Sequence, residues 1–581
     1  MEKIEGPRVL VLDADMVPAL TISRSLARRG CIVEIASHTS KPLTGYSNAV
    51  RSTYQYPNPL LHTSEFVEWL SQHGRREHYD LIMPVTERTL VPLSRHRERL
   101  QHLKIAMPNA NSLEVALDKS QTLKLAEQVG VPSPVGVSLS SMDDLAAVLS
   151  TVNYPVVLKP SRSLGSADGE TSQLQVSYAF DEVELQAGCA HAFRFGAVVL
   201  QEFFAGSGVG IELIAHRGKV VYAFQHLRLH EVPLTGGGSS LRKSQAVMPQ
   251  LLDASERLMA ALDWNGVAMV EFKLDTASGK FSLMEINGRF WGSLPLSVVA
   301  GADFPSMLLD LELNGEIEAC AEYRNDIYCR LVSRDLHWYE AFLRGGTDTR
   351  IANIPLSWDV FKELRLFFSL RHRYDVQSLT DPVPGLVDLG RILRSYVQRL
   401  ASLLEEGLFY TRQRRAWRRG EVSAAISNAD SLLFICYGNI NRSALADVLI
   451  RAYAEDSGIS VASAGFHREA GRSADPIMID IAAGLGANLN DMRSTTVSDV
   501  MLHSSDVIFV MEKSHYDRLT TMDARLAGRV FLLGAHQSAE KFGPEIEDPY
   551  GKSEESYLVC YERIAEAVDT LKALIAVRTF D

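Results

Sequence analysis

Cysteine is scarce in this 581-residue chain. There are six, Cys31, Cys189, Cys320, Cys329, Cys436 and Cys560, and none forms a Cys-x-x-Cys pair. That spacing argues against zinc ribbons and disulfide frameworks and predicts a reducing, cytoplasmic setting. No apolar run approaches the roughly 18 residues of a membrane span. The first residues mix Glu2 and Glu5 with Lys3 and Arg8 around too short an apolar stretch for a secretory leader. A basic excess is also missing. The 59 Lys and Arg against 71 Asp and Glu leave a net charge of −12, which gives no support to nucleic-acid binding. No Gly-x-Gly-x-x-Gly follows the first apolar strand, so dinucleotide binding is not supported. No Gly-x4-Gly-Lys-Ser/Thr occurs anywhere, which rules out a P-loop. Any phosphate must be held by lysines, arginine and loops of another kind.

The apolar share of 46% and charged share of 22% are those of an ordinary globular chain. Its length calls for three or four domains. Residues 1–112 alternate strand and helix: Arg8 to Leu12, Ile32 to Ala36, Tyr79 to Pro84 and Lys104 to Met107 read as strands, with a helix over Ala19 to Arg29. This pattern predicts a doubly wound parallel sheet. Residues 113–315 change texture to long strands and helices. Leu113 to Val129 reads as one amphipathic helix containing Lys119, and Tyr154 to Pro160 as a strand ending near Lys159. The Gly/Ser-containing loop Ser161 to Gly169 follows, then a strand over Val198 to Phe204.

Further on, Val270 to Lys273 and Leu283 to Asn287 read as two strands joined through Asp275-Thr276-Ala277-Ser278-Gly279. A hairpin there brings Glu271 beside Glu285 and Asn287, and two residues of separation put Glu285 and Asn287 on one face. Two carboxylates and an amide oxygen suit Mg²⁺ (or Mn²⁺) shared with nucleotide phosphates. Arg289 follows, placed to steady a transferring phosphoryl group. Taken singly, each of these residues reads equally as a surface Glu, a turn or a strand-end lysine. Residues 316–425 read as a helical connector, with amphipathic patterns at Val360 to Phe368 and Leu386 to Leu404. The basic run Arg412 to Arg419 is expected to be part of a solvated linker helix.

In residues 426–581 the informative stretch is Ser431 to Ile450. An apolar strand covers Leu432 to Ile435, Cys436 and a loop of Tyr437, Gly438, Asn439, Ile440 and Asn441 lead to Arg442, and a helical pattern starts near Ser443. Strand, tight loop and helix N-terminus gather backbone N–H groups on an anion. A cysteine placed there, near an arginine, is favoured as thiolate. The guanidinium can grip two phosphate oxygens at once. A nucleophile under a phosphate-shaped cup points to covalent phosphoryl transfer. The plainer reading is a buried cysteine that packs as a small apolar residue.

Cys436-x-Gly438-Asn439-x-x-Arg442-Ser443 closely resembles the signature loop of the low-molecular-weight protein tyrosine phosphatases. Further points of likeness are Val461 to Gly465, Ala474-Asp475-Pro476, Asp506 to Met511 and Glu547-Asp548-Pro549-Tyr550. The resemblance implies an α/β domain with a central parallel sheet. In it Cys436 attacks phosphorus, Arg442 binds the phosphoryl oxygens, Ser443 supports the thiolate and Asp548 is general acid then base. Tyr437 and Tyr550 would line the mouth. Asn441 stands where some members carry a second cysteine, and Ala444 where many carry proline.

The series Lys119, Lys159, Gln201, Glu202, Phe203, Phe204, Glu271, Glu285, Asn287 and Arg289 resembles the ATP-grasp superfamily, especially its carboxylate–amine ligases. The resemblance implies an ATP-grasp α+β fold behind a doubly wound N-terminal domain. Lys119 and Lys159 would meet ATP phosphates, Gln201 to Phe204 the adenine side, and Ser161 to Gly169 would be the lid. Glu271, Glu285 and Asn287 would be the metal ligands, and Arg289 would steady an acyl phosphate. His230-Glu231 and Thr235 to Ser240 are candidates to cover the acceptor site, or are a plain surface loop. The expected activities are an ATP- and Mg²⁺-dependent ligase joining a small carboxylate to an amine, and a phosphatase acting on a phosphorylated small molecule or a phosphotyrosine protein. Alternatives are a nucleotide-sensing phosphatase, an ATP-grasp kinase paired with a phosphatase, and arsenate reduction by the C-terminal module.

Overall fold

The computed structural model describes all residues except 1–5, 161–163, 168–169, 174–175, 318–321, 346–350, 352–354, 356, 537–541 and 579–581. Two units divide the chain, Met1–Arg394 and Ser395–Asp581.

The first unit opens with the expected parallel sheet. Its strands are β1 (Arg8–Val11), β2 (Ile32–Ser37), β3 (Ser52–Gln55) and β4 (Leu81–Met83), in the order β3-β2-β1-β4. Alternation along β1 sends Val9 and Val11 to one face, against Ala19, Ile22 and Leu26 of helix Val17–Arg28. Leu10 and Leu12 go to the other, against Phe66, Val67 and Leu70 of helix Thr63–Glu77. Helices on both faces make the sheet doubly wound. The fourth strand is Ser52–Gln55 and not Lys104 to Met107, which contributes only an isolated bridge from Ile105 to Ile82. The polar composition of Ser52–Gln55 hides an edge strand from hydropathy.

The single helix expected over Leu113 to Val129 is broken in two, Ala110–Leu117 and Lys119–Gln128. Asp118 causes the break: its carboxylate accepts from the N–H groups of Ser120 at 3.0 Å and Gln121 at 3.1 Å, and so starts a new helix. Next come β5 (Gly136–Leu139), β6 (Val156–Pro160), β7 (Leu164–Ala167), β8 (Glu170–Gln173), β9 (Ser177–Ala179) and β10 (Val198–Glu202). Four of these form an antiparallel sheet in the order β5-β10-β6-β9, and β7 pairs with β8.

The central layer is a seven-stranded sheet of β11 (Ser207–His216), β12 (Lys219–Val232), β13 (Gly238–Gln245), β14 (Gly266–Leu274), β15 (Phe281–Asn287), β16 (Tyr328–Arg330) and β17 (His372–Tyr374). Its order is β15-β14-β11-β12-β13-β16-β17. One face of β11 and β14 buries Val209, Ile211, Leu213, Val270 and Phe272 against Leu251, Ala254 and Leu258 of helix Pro249–Ala261. The pleat therefore turns Gly208, Gly210, Glu271 and Lys273 to the opposite face, where the polar groups collect. β16 and β17 arise from residues 316–425. That stretch is thus not only helical; six residues of it join the sheet, too few to show a period in sequence.

In the second unit β18 (Ser431–Cys436), β19 (Ser460–Gly465), β20 (Val507–Val510) and β21 (Val530–Leu532) form a parallel sheet in the order β19-β18-β20-β21. Leu432 and Phe434 pack on helices Arg442–Asp456 and Glu554–Arg578, and Leu433 and Ile435 on Leu502 and Leu519 of the opposite face. β21 is an edge, and its exposed groups are satisfied by side chains from the end of helix Pro382–Arg418. Leu532 N–H donates to Gln413 Oε1 at 2.8 Å, and Trp417 Nε1–H donates to Leu532 O at 3.0 Å. The basic run is therefore not a solvated linker throughout: Gln413, Ala416 and Trp417 of it face the unit. Trp417→Ala is expected to destabilise this unit by about 3 kcal/mol, combining lost packing and an unpaired edge carbonyl. The check is a lower midpoint for its transition in urea.

Among the described residues no single helix is long and apolar enough to cross a membrane. Cys31, Cys189, Cys329, Cys436 and Cys560 are free thiols. Cys320 lies outside the described residues.

Candidate active sites

At the carboxyl end of β18 the chain turns through 437–441 into helix Arg442–Asp456. The turn needs one left-handed residue, and Asn439 supplies it with φ +52°. Its side chain locks the bend: Nδ2–H donates to Ser443 Oγ at 2.9 Å, and Oδ1 accepts from Thr495 N–H at 2.7 Å. Gly465 on β19 lets the loop come close, since a Cβ there would lie 2.7 Å from Tyr437 O. The Cys436 sulfur sits beneath the loop, 2% exposed, with Asn439 N–H donating to it at 3.1 Å and Ser443 Oγ sharing a hydrogen bond with it at 3.0 Å.

Arg442 is 1% exposed and held from two sides. Its Nη1 donates to Ile546 O at 2.9 Å and pairs with Glu512; its Nη2 meets Asp548 Oδ2 at 2.5 Å. Burial disfavours its charge, but Cys436, Asp548 and Glu512 outweigh that and raise its pKa. The structure thus brings Cys436, Arg442, Ser443 and Asp548 together. Tyr437 and Tyr550 are exposed side chains on the 437–441 loop and the Asp548 loop. Asp475 caps helix Pro476–Gly484 through Ile477 N–H, as expected.

Sequence reasoning missed Glu512, Arg472 and His515. Arg472 Nη2 donates to Gly438 O at 2.6 Å. Burial, reinforced by Arg442, pushes the buried His515 down to about 4, so it is neutral near pH 7. A signal for Glu512 existed: it stands just past the carboxyl end of the core strand Val507–Val510, where parallel sheets present functional groups.

The other polar site lies on the sheet of the first unit. Glu271 and Glu285 are direct cross-strand neighbours, and Asn287 Nδ2 lies 3.1 Å from Oε1 of each. Both carboxylates therefore converge on one point. Burial pushes Glu271 up; Arg228 opposes this and the Glu285 charge adds to it. Burial acts the same way on Glu285, but Lys119, Asn287 and Lys159 overcome it and hold that carboxyl below its ordinary range. Lys159, on β6, is lowered to about 8, chiefly by burial, with Glu285 opposing and Lys119 adding to the fall. Arg289 pairs with Glu87 at 3.3 Å and donates to Phe290 O at 3.0 Å.

Gln201 is buried on β10 with no partner for its Oε1 among the described residues, Glu202 is exposed beside it, and Phe203 meets Tyr178 edge-on. Phe204 follows, half-buried. The expected lid Ser161 to Gly169 lies largely outside the described residues; Leu164–Ala167 of it forms β7.

Among the described residues no three His, Cys, Asp or Glu side chains form a metal cluster. The two carboxylates are hard oxygen ligands for a cation that completes its shell with phosphate oxygens. Glu271 and Glu285 fit Mg²⁺ on that ground, whereas Asn287 presents its Nδ2 to them and not its oxygen.

His230 does not cover an acceptor. It is fully buried, bonded to Asp335 at 2.8 Å and Glu363 at 2.7 Å, and stacked on Trp338 at 3.5 Å. Glu231 instead pairs with Arg228 at 3.3 Å and Lys273 at 3.8 Å. Arg228, which also binds Glu271 at 2.5 Å, carries no local motif and was invisible in the sequence.

The family model of low molecular weight phosphotyrosine protein phosphatases matches residues 431–578, and the one described as ATP-grasp in the biosynthetic pathway with Ter operon matches 194–334. The low molecular weight protein-tyrosine-phosphatase Wzb of Escherichia coli K12 is 36% identical over 132 residues, 23% of this chain and 86% of Wzb. Etp of the same strain is 30% identical over 138 residues, 24% of this chain and 89% of Etp. The L-amino acid ligase structure from Bacillus licheniformis is 18% identical, covers 56% of this chain and 79% of its own, and has a TM-score of 0.44. The chain belongs, over residues 431–578, to the low molecular weight protein-tyrosine-phosphatase family, and the ATP-grasp match lies ahead of that part.

Proposed function

We propose that the protein is a bifunctional enzyme, an ATP-dependent carboxylate–amine ligase joined to a cysteine-dependent phosphomonoester phosphatase. The observation that carries the ligase half is the convergence of Glu271, Glu285 and Asn287 beside Lys119 and Lys159. Bound Mg²⁺ would offset phosphate charge. Lys159 and Lys119 bind the phosphates, Gln201 to Phe204 border the base, and Arg289 steadies the acyl phosphate formed when the acceptor carboxylate takes the γ-phosphoryl group. An amine then displaces phosphate to give the amide. In the phosphatase half, Cys436 Sγ attacks phosphorus while Arg442 and the loop N–H groups hold the oxygens. Asp548 protonates the leaving oxygen, then takes a proton from the water that releases phosphate. The functional parts on this reading are 1–112, 113–315, 316–425 and 426–581, all in a reducing, cytoplasmic setting.

The test is ADP and phosphate release from ATP by Cys436→Ser protein screened against amino acids and small carboxylates. Acceptor-dependent release supports the ligase; tight ATP binding without turnover for any acceptor refutes it. A second reading, a nucleotide-sensing phosphatase, draws on one observation: Arg228 grips Glu271 at 2.5 Å, which competes with metal ligation.

Lys159 supplies a pH signature. Its charge is present below about pH 8 and lost above it, so the KM for ATP is expected to rise up to about tenfold between pH 7 and 9. Lys159→Arg, which stays charged, should flatten that profile.

A further inference from the structure

We propose that helix Pro382–Arg418 is the interface of a homodimer, in which its exposed apolar stripe packs against the same stripe of a second copy running antiparallel.

Leu389, Leu393, Val397, Leu400, Leu404 and Leu408 are each between 44% and 70% exposed. At about 100° of rotation per residue they share an arc about 100° wide, the width of a stripe that faces a core. Leu386 falls in the middle of that arc and Leu403 at its border, and both are exposed as well. Eight large aliphatic side chains make a patch on the order of 800 Å². That is more than the roughly 300–600 Å² of an ordinary monomer and about what each partner in a stable complex buries.

The helix meets its own chain through its other side. In the first unit Asp388 Oδ2 accepts from Gln377 at 2.9 Å, and Arg391 Nη2 donates to Lys41 O at 2.9 Å. Val387 packs there on Leu20, Leu43 and Val376. In the second unit Phe409 meets Tyr516 with ring centroids 4.8 Å apart, and Tyr410 Oη donates to Glu545 at 2.8 Å. Gln413 and Trp417 hold Leu532. Counted from Leu389, these residues lie from about 160° to about 300° around the helix, and the stripe from 0° to about 100°. None of these contacts uses the stripe.

The spacing of the stripe selects its occupant. The six positions are separated by four, four, three, four and four residues, a series that reads the same from either end. An antiparallel copy therefore sets Leu389 of each chain against Leu408 of the other, Leu393 against Leu404 and Val397 against Leu400, and a two-fold axis repeats every contact. Arg394 and Glu405 border the stripe on one side, and this pairing brings them within two residues of direct opposition. Each copy thus offers the other the opposite charge. An anionic membrane fits less well, because the polar side carries Glu405 and Glu406 along with its arginines, where a membrane helix carries bases.

The test is light scattering on the full-length chain. We expect twice 64.3 kDa at micromolar concentration. Val397→Glu with Leu400→Glu, at the centre of the stripe and exposed in the single chain, should raise the dissociation constant at least about 100-fold. An unchanged rate on para-nitrophenyl phosphate separates lost pairing from lost folding. Orientation is read from disulfide formation. Leu389→Cys with Leu408→Cys should give a disulfide-linked dimer under mild oxidation, and neither single replacement should; a parallel pair would link through Leu389→Cys alone. A monomer at every concentration, a dimer indifferent to the two glutamates, or linkage by the single replacement overturns the proposal. So does a monomer that binds phosphatidylglycerol vesicles and loses them with the two glutamates, which would give the stripe to a membrane.

Discussion

Cys436→Ser protein is expected to hydrolyse para-nitrophenyl phosphate at least about 10⁴-fold more slowly than the unaltered chain, with no burst of nitrophenol. The hydroxyl that replaces the thiol stays protonated near neutral pH and has no base beside it to take its proton. Ser443 Oγ is a hydroxyl, and Asn439 N–H is a donor that pins the oxygen further. The cup itself survives the change. Asn439 still spans Ser443 and Thr495, and Arg442 still rests on Ile546 O, Glu512 and Asp548. Phosphotyrosine should therefore still bind, and the variant should trap substrate. Retention of more than about one per cent of the rate would place the nucleophile elsewhere. ATP turnover should be untouched.

Glu285→Gln should abolish acceptor-dependent ADP formation, by at least about 10³-fold, with phosphatase activity intact. Glu285 is the carboxylate whose charge is secured, since Lys119, Asn287 and Lys159 hold its proton off, whereas burial raises Glu271. Removing the charge has a second consequence. Glu285 supports the ammonium of Lys159 against burial; without it the lysine loses its proton at lower pH. The affinity of Glu285→Gln for ATP should therefore begin to fall below pH 7, where that of the unaltered protein is still flat. An unshifted profile with normal ADP formation would remove Glu285 from the nucleotide site. The separate acceptor and phosphatase assays tell this apart from misfolding.

Residues 431–578 were legible from the sequence because their chemistry is local. Cys436 and Arg442 have five residues between them on one loop, and a strand, a turn and a helix N-terminus suffice to aim both at one phosphoryl group. Even there Glu512 went unseen, because the pairing with Arg442 spans 70 residues and only the parallel register of β18 and β20 joins them. In the first unit the hairpin of Glu271 and Glu285 was readable from period-two alternation and a turn.

Tertiary structure decided the rest. A helix reading of Leu113 to Val129 failed at Asp118, where a cap competes with helix continuation and neighbouring contacts settle the matter. His230 and Glu231, adjacent in sequence, went to opposite fates because β12 shifts register between them and β13, one packing on Trp338 and the other reaching Arg228. Ser52–Gln55 and Tyr328–Arg330 are strands through their pairing with distant sheet neighbours, and Gln413 and Trp417 meet an open strand edge. The sequence by itself determined which chemistry the chain carries, since nucleophile, carboxylates and lysines are properties of residues and short spacings. Which of those groups are paired was decided by contacts between residues far apart in the chain, whose closure only the folded sheets can enforce.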